Sequence, residues 1–127
     1  MLRLVFAALV AAHGAFQLFG ASVAFGLVDA ERLYENLLLG GHLELASAGG
    51  APVGFALLGT GIAFIAGAAG LATRSGWALP TVGITILISL LVTGLGERSA
   101  SGVLVNILLL VGLWQLWRSE PAWAFRT

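Results

Sequence analysis

Leu4–Val28 reads LVFAALVAAHGAFQLFGASVAFGLV. As a helix, these roughly 25 residues at ~1.5 Å rise extend about 37 Å, more than the ~30 Å hydrocarbon core of a bilayer needs. The run is therefore expected to span a membrane. Near its middle stand His13 and Gln17, spaced i, i+4, which puts an imidazole and a carboxamide on one helical face. A polar side chain without a partner costs several kcal/mol in hydrocarbon, so that face is expected to look inward at other helices.

Composition supports a membrane class. The chain is 59% hydrophobic and 9% charged, where a soluble domain carries about 25% charged residues. Mean hydropathy is +1.01. All six basic residues are Arg and none is Lys; scattered as they are, they make no nucleic-acid footprint. The absence of Cys removes disulfides, thiolate nucleophiles and Cys-ligated metal centres. Arg3 ahead of an apolar run, with Ser22-Val23-Ala24 behind it, loosely resembles a secretory signal, but the run is too long for a signal's apolar segment.

Asp29 to Glu44 holds four of the six acidic residues. Asp29 suits an N-cap, with Glu31 in the first turn. Leu33, Tyr34, Leu37 and Leu38 then fall opposite Glu31, Glu35 and Asn36, which predicts a short amphipathic helix in the interface. Gly40-Gly41 ends it, and the stretch to Gly50 leads into a second span, about 51–73, with Pro52 in its first turn. The Arg74-Ser75-Gly76 turn introduces a third span, 77–95, and a turn over 96–101 a fourth, 102–117. Turns this short make antiparallel neighbours. The expected fold is all-α: one integral membrane four-helix bundle over 1–127, with one short external amphipathic helix in the loop 29–50.

Orientation follows from arginine counts. Four spans place Arg3, Arg74, Arg118 and Arg126 on one side and Arg32 and Arg98 on the other, so both termini are expected in the cytoplasm of a bacterial inner membrane. Trp77, Trp114, Trp117 and Trp123 gather at that same boundary, as an aromatic belt does.

The second span is dense in glycine. Gly59, Ala63 and Gly67 form a small-xxx-small ridge suited to close helix packing in lipid. Gly59 and Gly61 lie inside a span with no strand before them, so they do not make a phosphate loop. No Asp, Glu, Lys or Arg stands in the centre of a span, which argues against an ion-coupled pump. No internal repeat suggests an inverted-repeat transporter.

The run Ala11-Ala12-His13-Gly14-Ala15-Phe16-Gln17-Leu18-Phe19-Gly20, the polar external loop and the three closely spaced spans that follow resemble the DoxX-like group of small four-helix bacterial membrane proteins. The resemblance covers the helix count, the loop placement and the early His-Gly pair. It implies an inner-membrane protein associated with quinone or thiosulfate redox chemistry and with oxidative-stress complexes. Many such proteins carry a second His where this chain has Gln17, which removes the support for a metal or haem role.

Depth gathers the polar residues. From the cytoplasmic boundary, His13 lies about 13 Å and Gln17 about 19 Å up the first helix, and Thr85 and Ser89 lie at about 12 and 18 Å on the third. Counted down a ~30 Å core from the outer boundary, Thr60 and Asn106 reach about 16 and 20 Å. These six share the middle third. They serve either as interhelical hydrogen bonds, worth about 0.6 kcal/mol each, or as a polar chamber in which His13 alone exchanges a proton near neutral pH. No carboxylate shares the depth of His13, so a catalytic triad is not expected. Asp29, Glu31, Glu35, His42 and Glu44 lack a ligand spacing and read as a solvated acidic face, so no metal site is expected.

Three functions fit, none of which fixes a cofactor. The first, asking least, is an accessory or scaffold subunit that packs through its glycine ridge against other membrane helices, from its own kind or a larger complex, within the lipid bilayer. The second is a binder of a quinone-like hydrophobic molecule at His13, Gln17, Thr60, Thr85, Ser89 and Asn106. The third is a channel or carrier for a small neutral solute. The topology is testable directly: reporter fusions at residue 45 and at the C-terminus should report opposite sides of the membrane, and a shared side would contradict the four-span reading.

Overall fold

The computed structural model describes residues 1–27, 50–96 and 100–120. These form four helices: α1 (Leu2–Ala24), α2 (Gly50–Ala72), α3 (Ala78–Leu91) and α4 (Ala100–Ser119). A π-helical turn, Val92–Gly96, extends α3. Among the described residues there is no strand. Through Leu95 of its π extension α3 gives an 18-residue span, and all four helices are long and apolar enough to cross a membrane. The expected amphipathic helix and most of the loop 29–50 lie outside the described residues.

The helix ends are set by local chemistry. α1 stops four residues short of the expected Val28 because the chain reverses at Gly26, whose φ is 69°. Gly26 N–H donates to Val23 O at 3.0 Å and Leu27 N–H to Ser22 O at 2.9 Å, the paired bonds of a Schellman cap, whose left-handed residue is most often Gly because it lacks a Cβ. The same pair closes α2: Arg74 N–H donates to Leu71 O at 3.2 Å and Ser75 N–H to Gly70 O at 2.8 Å. There the left-handed position is Arg74, at φ 59°. Pro52 and Pro80 each occupy the third position of their helix, within the first turn where no intrahelical N–H bond is lost.

The helices form a ring in which α1 packs on α2, α2 on α3, α3 on α4 and, more sparsely, α4 on α1, while the backbones of diagonal partners stay apart. α1 and α2 approach most closely at Gly14 and Gly61. A Cβ on Gly14 would sit 2.9 Å from the Gly61 carbonyl oxygen, and one on Gly61 would sit 3.0 Å from the Gly14 carbonyl. On the other side of α2, Gly67 receives Val82 of α3, whose Cγ2 would be 2.5 Å from an added Cβ. The expected ridge of Gly59, Ala63 and Gly67 is thus corrected in part. Gly67 is buried in an interface, but Gly59 is exposed with nothing within 4 Å of its Cβ position, and Ala63 is half-buried. Residues spaced by four drift around the helix, and the face turned to α1 carries Gly61 instead.

The core is lopsided along the bundle. Toward the end that holds Met1, a continuous cluster joins Phe6 and Val10 of α1, Phe64 and Leu71 of α2, Val82 and Ile86 of α3, and Leu109 and Leu116 of α4. At the opposite end only Val23 is fully buried in a second cluster, with Phe16, Phe19 and Val53 against it. Arg3 Nη1 faces Glu120 at 3.9 Å and brings the start of α1 to the end of α4. Trp77, Trp114 and Trp117 are all exposed toward this end, while Trp123 lies outside the described residues.

Replacing Gly67 with Leu should cost about 1–3 kcal/mol or block assembly, because β-branched Val82 cannot yield. Gly59→Leu should cost less than about 0.5 kcal/mol. Thermal denaturation in detergent reads both, and equal losses would contradict this packing.

Candidate functional site

Between the two apolar clusters lies a polar layer to which all four helices contribute. Its centre is Gln17, 2% exposed. The i, i+4 spacing places it one turn from His13, and Gln17 Nε2 stands 3.1 Å from His13 Nε2. That imidazole nitrogen accepts the amide proton when the ring's own proton is on Nδ1. The other amide proton goes to Ser89 Oγ of α3 at 2.5 Å, across the diagonal of the ring. On the acceptor side, Thr60 Oγ1 of α2 donates to Gln17 Oε1. The Gly14–Gly61 contact lets α2 come close enough for this bond, since Thr60 neighbours Gly61. Gln17 therefore uses both protons and its oxygen, each toward a different side chain.

The remaining members divide. Thr60 also lies 2.8 Å from the Ala56 carbonyl of its own helix; with one hydroxyl proton, it serves Gln17 or its own backbone at a given instant. Thr85 is buried, yet its hydroxyl donates to Thr81 O at 2.7 Å. It bonds its own helix and joins no other. Thr93, in the π-helical turn, does the same toward Ser89 O at 2.8 Å.

Asn106 is 0% exposed and belongs to α4. Its Nδ2 donates to Gly102 O at 2.8 Å. Its carboxamide reaches the His13 ring electrostatically, but no donor meets Asn106 Oδ1 with hydrogen-bond geometry among the described residues. Buried oxygens of this kind usually have a partner. The amide cannot be turned to hide it. Exchanging nitrogen and oxygen would set Oδ1 against the Gly102 carbonyl, two acceptors facing each other.

Three features were not anticipated from sequence. Phe64, one turn along α2 from Thr60, packs edge-on against His13 with ring centroids 5.0 Å apart. The π-helical turn follows Ser89 within one turn of helix, a feature often found at functional positions. Between α3 and α4 lies an apolar cavity of about 280 Å³ lined by Leu79, Leu110, Leu113, Trp114 and Trp117. Asn106, Leu110, Leu113 and Trp117 are spaced by four, three and four, so three of the lining residues lie on the stripe of α4 that carries Asn106. That spacing was visible in the sequence.

Among the described residues no three His, Cys, Asp or Glu side chains gather as metal ligands. The loop carboxylates and His42 lie outside the described residues.

The chain matches no protein-family model, and neither the curated proteins nor the solved structures compared with it give a match.

The two buried threonines separate the network from local bonding. Thr60→Val should cost about 1 kcal/mol by leaving Gln17 Oε1 unpaired. Thr85→Val should stay within about 0.5 kcal/mol, because the Thr81 carbonyl keeps its helical bond. Reversed costs in detergent unfolding would show that the layer is wired differently.

Proposed function

We propose that this is a multi-pass bacterial inner-membrane protein, both termini cytoplasmic, that binds the polar head of a small quinone-like molecule in its central polar layer. The observation that carries the reading is the buried polar layer centred on Gln17, in which Asn106 Oδ1 has no partner of hydrogen-bond geometry among the described residues. Both Gln17 amide protons are taken and its oxygen faces Thr60, so it braces the layer and holds the His13 ring. With Nε2 of that ring taken by Gln17, the Nδ1–H remains as a donor next to an acceptor. A hydrogen-bonding head satisfies both. The hydrocarbon part has a place in the cavity between α3 and α4, which the α4 stripe of Asn106 lines in part; its volume is near the lower end, about 300 Å³, of small-molecule sites.

The site supplies binding and no reaction of its own. His13 is the one titratable side chain among the members of the layer, the others being Gln17, Thr60, Thr85, Ser89 and Asn106.

A second reading, an accessory or scaffold subunit, is favoured by Gly59. It is exposed on a helix whose Gly54, Gly61, Gly67 and Gly70 are all in contact, and a bare backbone facing lipid suits close approach by another membrane helix. The two readings are compatible. Because the chain has no Cys, a Gly59→Cys variant carries a unique thiol. Oxidative cross-linking in native membranes, to a second copy or to a larger partner, supports this second role, and a thiol that only reacts with lipid-soluble maleimide contradicts it.

For the binding role, titrating a decyl-substituted benzoquinol into protein-loaded nanodiscs should quench tryptophan emission saturably. Trp117→Phe should reduce the amplitude. Quenching that rises linearly, as in simple partition into lipid, would contradict the reading.

A further inference from the structure

We infer that His13 and Gln17 form a proton-operated switch: when His13 takes up a proton, the Gln17 amide turns over, and the hydrogen bonds joining α1 to α2 and α3 reverse direction without parting. The inference stands whether or not the layer holds a ligand. In the neutral state His13 Nε2 accepts from Gln17 Nε2 at 3.1 Å, so the ring proton is on Nδ1. The same amide nitrogen gives its second proton to Ser89 Oγ at 2.5 Å, and Gln17 Oε1 faces Thr60 Oγ1. A proton added to this ring has only Nε2 to go to. Two donors would then meet with no acceptor between them. A half-turn of the amide about its last torsion removes the conflict, and because it exchanges an oxygen for a nitrogen of nearly equal size it needs no repacking. Oε1 then accepts the imidazolium Nε2–H and the Ser89 hydroxyl proton, while Nε2 donates to Thr60 Oγ1.

The two partners on α2 and α3 make the reversal possible. Both are hydroxyls, which donate or accept as required. Thr60 has a second acceptor for its proton, the Ala56 carbonyl at 2.8 Å, and so can offer a lone pair to the turned amide. Neither orientation is complete. Before the turn, the single Thr60 proton is divided between Gln17 Oε1 and Ala56 O; after it, one amide proton is spare. A backbone carbonyl or an ammonium in either hydroxyl's place would lock the amide one way. The charge-assisted bond to Oε1 offsets part of the cost of an imidazolium at this depth. His13 is faced by Phe64 from α2 and the Asn106 carboxamide from α4, and α3 adds Ser89 to the layer; none of these titrates near neutral pH. The charged groups of the described residues, the Met1 amine, Arg3, Arg74, Arg118 and Glu120, stand toward the Met1 end of the bundle.

The test is nuclear magnetic resonance of the full chain in detergent micelles. The only histidines are His13 and His42 and the only glutamines Gln17 and Gln115, so labelled histidine and glutamine in a His42→Ser, Gln115→Ser background report on this pair alone. At about pH 8 the ring should carry one proton, on Nδ1, and a ¹⁵N–¹⁵N coupling should run across the bond between His13 Nε2 and Gln17 Nε2. As the pH falls to about 5, the ring should become doubly protonated, that coupling should vanish, and a coupling from His13 Nε2 to the Gln17 side-chain carbonyl carbon should replace it. Raising the pH should restore the first pattern. A ring that stays singly protonated over the whole range overturns the inference. So does a doubly protonated ring that loses the first coupling without gaining the second, because the contact would then have broken instead of reversing.

Discussion

A carboxamide placed among hydrocarbon must find partners for two protons and an oxygen, or cost several kcal/mol. That requirement, set by Gln17, orders the rest of this bundle. α1 has to turn the Gln17 face inward, and α2 and α3 have to bring Thr60 and Ser89 to it. Because α1 and α3 stand on the ring's diagonal, the bond to Ser89 ties together two helices whose backbones do not touch. Polar groups of this sort add little net stability in membranes. Their larger effect is on register, since a shift of α3 by one residue would rotate Ser89 away and leave the amide unpaired.

Glycine makes the layer possible. Apolar side chains at 14 and 61 would hold α1 and α2 apart, and Thr60 could not then reach Gln17. The contact thus links a packing feature to a polar one. It also frees Asn106: with Gln17 fully used by α2, α3 and His13, the α4 member has its anchoring bond to Gly102 and no side chain left to meet its oxygen. The layer is paired where three helices meet and incomplete at α4, which packs only sparsely on α1. The apolar cavity between α3 and α4 is lined by Leu110, Leu113 and Trp117 of the same α4 stripe.

Much of this was legible in the sequence. The i, i+4 pair of His13 and Gln17 fixed a common face, and counting depth brought Thr60, Ser89 and Asn106 to one level. Depth could not say which side of a helix a residue occupies. Thr85 shares the level and still bonds only Thr81. Spans that are apolar all round carry no amphipathic stripe to orient them, and for this reason Gly59 and Gly61, two residues apart, could not be told apart as outward and inward. The early end of α1 was within reach, since Gly26 followed by Leu27 is the residue pattern of a Schellman cap. The π-helical turn had no sequence signal beyond the glycines at 94 and 96.

The account depends most on the diagonal bond between Gln17 and Ser89. A double-mutant cycle with Gln17→Leu and Ser89→Ala, read by reversible unfolding in mixed micelles, isolates it from the other partners of each residue. A favourable coupling of about 0.6 to 1.7 kcal/mol, the range found for interhelical hydrogen bonds in membranes, is the predicted result. Additivity to within about 0.3 kcal/mol would contradict the claim that Gln17 fastens α1 to α3.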